Sequence, residues 1–538
     1  MPNARLLSLE LERFKSYDAR TKVDFSPLTV VIGRNNSGKS SINQALLLLK
    51  QTLEHPRSDV ALHLEGPVDA LGLGELTFGW PTNGSAGPRI SVHWRSEIEV
   101  SRQWDEANRP DVSNAIASAL LKSLLAFAHA QVDGRASVVV ETTLTLEFRQ
   151  VDGQVALSSA ELDSAQVGQQ QQPAFRFQRS KQGAWQVFFR GDPASHAKVE
   201  FDHFLPFVGL DRRSVGPRSR ERAWHNAYLL IFKQPLDDLR ELLVNLQFLG
   251  STRELPAQLY RPSASSLDTI GVSGERAAHL IHARQRDVVH YLPPVVATID
   301  DDVGMTARVR ARPFMEAVND VLAGLGIATQ LSVQDFPNAG FRLLFGSSSL
   351  AHVGRGLTYL LPIVELGLFG DPLRFSGETG EEDLAEYVTR CPQPTHLIFE
   401  EPESHLHPKV QSRLAEWMVA LAMANRQVIV ETHSDHLVRR LRGLVARAKP
   451  GSALESWLTS SVSMIEVDQD PDGRSSIMTS RLTPRGQLAD HWPADFMDES
   501  TDEESRIYYA SLDKAAREPD ATSGVVHDEG PEPDDAAP

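Results

Sequence analysis

The segment Gly33-Arg34-Asn35-Asn36-Ser37-Gly38-Lys39-Ser40 matches a phosphate-binding loop, G-x-x-x-x-G-K-[ST], at every fixed position. Such a loop binds mainly with backbone. Gly33 and Gly38 let the chain fold around phosphate oxygens. The N–H groups of Asn35, Asn36, Ser37 and Gly38, and of the helix start at Lys39, Ser40 and Ser41, point at the anion. Lys39 supplies a charge to the β- and γ-phosphates of ATP, and Ser40 a hydroxyl to Mg²⁺. A chance match on a turn is the bland alternative. The flanks speak against it: residues 28–32 read as a buried strand and 41–53 as a helix.

Phosphate chemistry also needs acids to hold the metal and polarise water. Residues 396–401 read as a buried strand ending in two carboxylates. Neighbours on a strand point to opposite faces, so the pair divides its work. Glu400 reaches Mg²⁺, and Glu401 orients or deprotonates the attacking water. An exposed acidic strand end is the alternative. A third apolar strand, within 428–434, ends in the polar cluster Glu431-Thr432-His433-Ser434 and offers His433 to the γ-phosphate. A lone histidine at a strand end is otherwise structural.

These residues need elements to carry them. A strand is expected over 5–14 and another over 22–25. Residues 88–205 change character, with short alternating runs at 90–94, 138–148, 155–162, 175–177 and 185–189, separated by turn signals. That pattern predicts antiparallel strands, interrupted by a helix over 112–130 and a Gln-rich loop at 169–172. Helices are expected over 226–248 and 309–325, with strands at 328–334 and 341–346. The last part alternates again: strand 394–400, helix 408–424, strand 427–431, helix 434–447. In the helix after Pro408, Val410, Leu414, Trp417, Met418 and Leu421 share a face. Pro408 suits a first helical position.

The chain has 538 residues, 41% hydrophobic and 23% charged, as expected of a soluble globular protein. Its single cysteine, Cys391, excludes an intramolecular disulfide and suits a reducing cytoplasm. The start reads as a strand, not a signal peptide. No uncharged run reaches the roughly 18 residues of a membrane span; residues 357–370 come closest but include Pro362 and Glu365. The net charge is −17, of which residues 495–538 carry 14 acids against 3 bases. That end reads as a solvated tail, so whole-chain charge says little about any local surface.

The segments 33–41, 397–408 and 429–435 resemble the ABC-type ATPase heads of the SMC/RecF/OLD class. More narrowly, they resemble bacterial AAA-family ATPases related to the overcoming-lysogenization-defect (OLD) proteins. Residues 248–256, 271–275 and 491–496 are similar to further segments of that group. The resemblance covers about half the chain and is thin from about 80 to 240. It implies an α/β P-loop NTPase fold of ABC-ATPase-head type, with a mixed parallel core sheet, an antiparallel β subdomain and a helical subdomain. The expected divisions are 1–87, 88–225, 226–345, 346–498 and an acidic tail, 499–538. By that resemblance Glu400 is the Walker B acid, Glu401 the catalytic glutamate and His433 the switch histidine. His405 and His407 then belong to a dimer-facing loop. Gly354, Gly356 and Thr358 occupy the signature position, which in such ATPases caps the nucleotide of a second subunit. Here Thr358 and Tyr359 stand where serine and glutamine are common, which puts that capping in doubt. Gln51 is a weak candidate for the Q-loop.

The resemblance further implies a homodimer, DNA or a nuclease as partner, and anti-phage defence. Arg212, Arg213, Arg218, Arg220 and Arg222 could neutralise DNA phosphates, or form a solvated loop. Asp468-Gln469-Asp470 mimics a Toprim metal pair, but its surroundings read as a hairpin. A nuclease or other effector would then act in trans. A RecF-like repair clamp, a nucleotide-gated scaffold with slow turnover, and a small-molecule kinase are the rival readings.

Overall fold

The computed structural model describes residues 4–80, 86–101, 131–132, 135–166, 175–180, 183–211, 215–216, 219–261, 268–294, 308–373, 377–391, 393–489 and 509. The segments expected at 112–130 and 169–172, Arg212, Arg213 and Arg218, residues 491–496 and the acidic tail lie outside the described residues, Tyr509 apart. The chain divides into a unit of residues 1–491 and a second of 492–538. The first unit holds every strand of the molecule that the structure describes.

Its centre is a six-stranded sheet in the order Gln247–Leu249, Thr395–Glu400, Arg426–Glu431, Leu28–Gly33, Val462–Gln469, Ser475–Arg481. The first five strands are parallel and the last is an antiparallel edge. Parallel strands covered on both faces need nearly continuous apolar runs. Leu28–Gly33 and Arg426–Glu431 are buried along their whole lengths. Carrying polar residues only at their ends, these strands deliver chemistry at one edge of the sheet. The molecule is α/β with a mixed, mainly parallel core sheet, as expected of a P-loop NTPase.

A second, nine-stranded antiparallel sheet joins Arg5–Glu12 and Thr21–Asp24 to the long strands Arg89–Ser101, Arg135–Val151 and Gln154–Gln166. Arg5–Glu12 pairs directly with Arg89–Ser101, so this sheet is continuous across residues 87 and 88. The helix Lys39–Glu54 contributes Ile42, Leu46 and Leu49 to a core shared with Leu9, Trp94, Leu144 and Phe148 of that sheet and with Ile398 and Ile429 of the central one. Among the described residues, no helix is long and apolar enough to cross a membrane.

Two expected helices are corrected. Residues 226–248 fold as Arg220–Ile231, Lys233–Asn245 and the strand Gln247–Leu249. Pro235 lies in the first turn of the second helix, where its ring excludes an unbroken helix from Ile231. The strand is drawn out by parallel pairing with Leu397, Ile398 and Phe399. Residues 309–325 begin as the strand Arg308–Pro313, with Val309 and Ala311 buried, and become helical only at Phe314–Gly324. Pro313 keeps Arg312 out of helical backbone. The hairpin expected around Asp470 is present: Val462–Gln469 pairs with Ser475–Arg481 across a turn closed by Gly473 N–H on the Asp470 carbonyl.

Candidate functional site

The phosphate loop leaves the strand Leu28–Gly33 and enters the helix Lys39–Glu54. Gly33 has φ +146° and Gly38 φ +101°, backbone that favours glycine. A Cβ on Gly33 would meet the Val467 carbonyl, and one on Gly38 the hydroxyls of Ser16 and Ser475. The loop is also tied from outside. Tyr17 Oη donates to the Gly38 carbonyl (3.0 Å), and Ser475 Oγ to the Ser37 carbonyl (2.5 Å). Asn35 and Asn36 form the exposed tip, while Ser37 and Ser41 are buried. Ser37 Oγ is buried without a hydrogen-bond partner.

Lys39 is 4% exposed and donates Nζ to the carbonyls of Gly33 (3.1 Å) and Arg34 (2.6 Å). Burial lowers its pKa, opposed by the charges of Glu431, Glu401 and Glu403. Ser40 Oγ donates to Glu431 Oε1 at 2.6 Å. Asn43, one helical turn on, places Nδ2 3.0 Å from Glu431 Oε2 and 3.4 Å from Glu400 Oε1.

The acids arrive from the two neighbouring strands. Burial, then the charge of Glu431, pushes the Glu400 carboxyl up to about 7. Glu401 turns off the sheet at φ +42°, with its N–H on the Glu431 carbonyl (2.8 Å) and its Oε2 accepting from Ser404 Oγ (3.1 Å). Glu403, 7% exposed, accepts the backbone N–H of His433 at 2.6 Å, which fixes the turn between the strand Arg426–Glu431 and the following helix. The His433 ring is exposed; what burial it has, and then Lys39, lower its pKa and favour neutral imidazole. Behind the acids, buried Arg253 donates Nη2 to the Glu400 carbonyl (3.1 Å). Burial lowers its pKa to about 10, opposed by Glu400, Tyr359, Glu401 and Glu403.

Lys39, Ser40, Glu400, Glu401 and His433 therefore come to one edge of the sheet. The segment 353–359 is brought elsewhere, against the loop that follows the acids. Gly354 precedes the helix Arg355–Phe369, Gly356 faces the His405 carbonyl, and the Tyr359 ring packs edge-on to His405 at 4.6 Å. Thr358 Oγ1 donates to Arg355 in its own helix (2.9 Å). His407 caps the helix Pro408–Met423, accepting from Lys409 N–H. Gln51 is structural: its amide bonds His63 and Val68 and pins the segment beyond the loop helix.

Sequence reasoning missed Glu431, Asn43, Glu403 and Arg253. Glu431 carried a signal, as the only acid in its otherwise apolar run. The others become visible only once strands are neighbours.

The donor set fits the groups that the motifs imply. Glu400, Glu431 and Ser40 offer only oxygens toward a cation, the preference of Mg²⁺. Two glycines that a Cβ would crowd, followed by a helix N-terminus and a lysine, fit a polyphosphate.

Comparisons with known proteins agree with this at the level of segments. A family model described as an AAA ATPase domain matches residues 5–93. Another, described as an AAA domain with a suggested link to the AbiEii toxin of type IV toxin–antitoxin systems, matches residues 384–439. No curated protein matches. Among solved structures, the SMC head domain from Thermotoga maritima aligns at 13% identity and TM-score 0.35, over 89% of this chain and all of that one. An SMC head bound to the C-terminal winged-helix domain of ScpA aligns at 14% identity and TM-score 0.34, over 89% of this chain and 98% of that one. An SMC head with an extended coiled coil, bound to the C-terminal domain of ScpA from Pyrococcus furiosus, aligns at 12% and 0.35, over 94% and 100%. The two AAA-domain matches fall on the two stretches that the core sheet brings side by side, one carrying the phosphate loop and the other the acids and His433.

Proposed function

We propose that this chain is a Mg²⁺-dependent ATP phosphohydrolase. One observation carries the reading: Ser40 and Glu431, 391 positions apart, are hydrogen bonded, with Lys39, Glu400, Glu401 and His433 around them. The loop backbone and Lys39 hold the β- and γ-phosphates. Mg²⁺ bound with the nucleotide supplies neutralisation of phosphate charge. Ser40 and Glu400 would hold that ion, Glu401 would take the proton of the attacking water, and His433 would hydrogen bond the terminal phosphate. Water as acceptor suits this set better than a kinase acceptor, because Glu401 already stands beside the phosphate site.

The finer reading rests on the resemblance. Two copies close around ATP, the segment 353–359 of each serving the other's nucleotide. The dimer acts on DNA or controls a nuclease or other effector in trans, in a cytoplasmic anti-phage system. Thr358 and Tyr359 favour slow turnover, since the Thr358 hydroxyl is engaged within its own helix. A scaffold that uses hydrolysis as a timer is the second reading on that ground.

Phosphate release from ATP alone tests the chemistry. Wild-type protein is expected to turn over and Lys39→Ala to lose both binding and turnover. A wild type that neither retains nor cleaves ATP overturns the reading. Gel filtration of Glu401→Gln with ATP tests the assembly; a strict monomer removes the dimer.

A further inference from the structure

The motifs give the magnesium-holding role to Glu400, yet the loop serine bonds a different carboxylate. We propose that Glu431 is a metal-positioning residue that sets the Mg²⁺ site jointly with Glu400, through Ser40 and through metal-bound water. This rests on the ATPase reading.

The register of the sheet makes the argument. Glu400 pairs with Glu431, and Glu431 with Val31 of the strand that leads into the phosphate loop. Glu431 therefore stands one strand, roughly 4.8 Å, nearer the loop than Glu400 does. Its Oε1 accepts the Ser40 hydroxyl at 2.6 Å. A serine hydroxyl is a rotor with one proton and two lone pairs. Tying the proton to Glu431 turns the lone pairs away from that carboxylate, which is what a cation ligand needs.

Asn43 supplies the second observation. Its Nδ2 serves Glu431 (3.0 Å) and Glu400 (3.4 Å), so one amide holds both carboxylates. Its Oδ1, in a residue with 0% exposure, has no hydrogen-bond partner. A buried acceptor without a donor costs roughly 1–3 kcal/mol. Water in the shell of a cation held by Ser40 and the two acids would supply the missing donor. Two buried carboxylates side by side also repel each other, which Lys39 and Arg253 offset only in part and a bound cation would relieve. Glu431 itself is 3% exposed, with both oxygens already aimed at the loop helix.

The experiment separates metal from nucleotide. Binding of a fluorescent ATP analogue is measured in EDTA and across a Mg²⁺ titration, for wild type, Glu431→Gln and Glu400→Gln, with Mn²⁺ binding read by electron paramagnetic resonance. Glutamine keeps an oxygen for Ser40, so the loop retains its support. Binding in EDTA is expected to stay within threefold of wild type for Glu431→Gln, showing a folded loop. The Mg²⁺ concentration for half-saturation should rise fivefold or more, and bound Mn²⁺ should fall. A smaller shift overturns the proposal. So does equal loss with and without metal, which makes Glu431 a structural anchor of Ser40. Failure of wild-type protein to bind the analogue in either condition removes the ATPase reading itself, a result distinct from the other two.

Discussion

Arg426 and Glu431 open and close the same buried strand, and the charges around its two ends are treated in opposite ways. At the Arg426 end lies Asp371, 0% exposed, accepting hydrogen bonds from His290 N–H (2.8 Å), His290 Nδ1 (2.9 Å), Tyr387 Oη (2.7 Å) and Leu373 N–H (3.0 Å). Arg426 adds its charge at 3.8 Å. Burial alone would raise this acid, but the His290 bonds and Arg426 hold it below the usual carboxylate range. At the other end, Glu400, Glu403 and Glu431 are all raised, burial being the largest cause for each. Glu403 Oε2 and two Arg253 nitrogens are buried without partners there, as Arg426 Nε is at the first end. A carboxylate whose hydrogen bonds are complete serves the fold. Neighbouring carboxylates held by the neutral donors of Ser40 and Asn43, with no ion pair described, are ready for a cation.

The sharpest way to break this comparison is Glu401→Gln. The side chain bonds only the Ser404 hydroxyl among the contacts described, and glutamine can accept the same bond. Turnover is expected to fall by roughly 10²–10⁴, the usual size of general-base removal, with little change in ATP affinity or melting temperature. Steady-state phosphate release and a thermal melt check both halves. Turnover within tenfold of wild type would remove Glu401 from the chemistry.

Asp371→Asn should do the reverse. The new amide places donors against the two His290 donors and leaves Arg426 buried without its counter-charge. A loss of about 3–5 kcal/mol in urea unfolding is expected, with the nucleotide affinity of the folded fraction preserved. A loss below about 1 kcal/mol would mean that this end is no better finished than the other.

How much of this was legible in sequence obeys the same division. The meeting of residues 33–40, the acid pair and His433 was readable because its signals are local: fixed types at fixed spacing, each at the end of an apolar strand. The place of Glu431 escaped because it is set by lateral neighbours, Val31 on one side and Glu400 on the other. The Asp371 cluster was invisible, since His290 lies 81 positions away from it and the Arg426–His290 bond spans 136. The helix misread over 226–248 had leucines at helical spacing on both sides of a proline break, and apolar periodicity does not report where a chain turns. The strand Arg308–Pro313 was absorbed into its helix although Val309 and Ala311 alternate with three arginines, because it is only 6 residues long and runs straight into the helix.

Gly38→Ala probes the loop as a shape. Gly38 has φ +101°, and an added Cβ would press on the Ser16 and Ser475 hydroxyls. Strain of this kind costs about 1–3 kcal/mol. Ser475 clamps the loop through the Ser37 carbonyl, so ATP affinity should fall about tenfold or more in equilibrium binding, with stability reduced by about 2 kcal/mol. An alanine variant that binds normally would show that the loop tolerates a wider backbone than the structure describes.

Asp238, in the helix Lys233–Asn245, tests the comparison from the other side, because it is an unfinished acid away from the phosphate loop. It is 0% exposed and accepts from Gln234 Nε2 at 2.7 Å on Oδ1, while Oδ2 has no partner within hydrogen-bond geometry. Burial pushes it up to about 6, only partly offset by Gln234 and Ser96. A folded-state pKa above the unfolded one means that the native protein holds the proton more tightly. The stability this provides is complete below the ordinary pKa of 3.8 and is lost as pH rises through about 6. Asp371, held low, contributes in the opposite sense: its share is present above the ordinary carboxylate pKa and is lost as pH falls. Asp238→Asn keeps the acceptor for Gln234 and removes the buried charge. It should match wild type near pH 4 and exceed it by about 2 kcal/mol near pH 7.5, read from urea unfolding across pH. If the two stability curves run parallel, Asp238 is ionised in the native state at no cost, and burial without an ion pair ceases to mark the carboxylates of the candidate site.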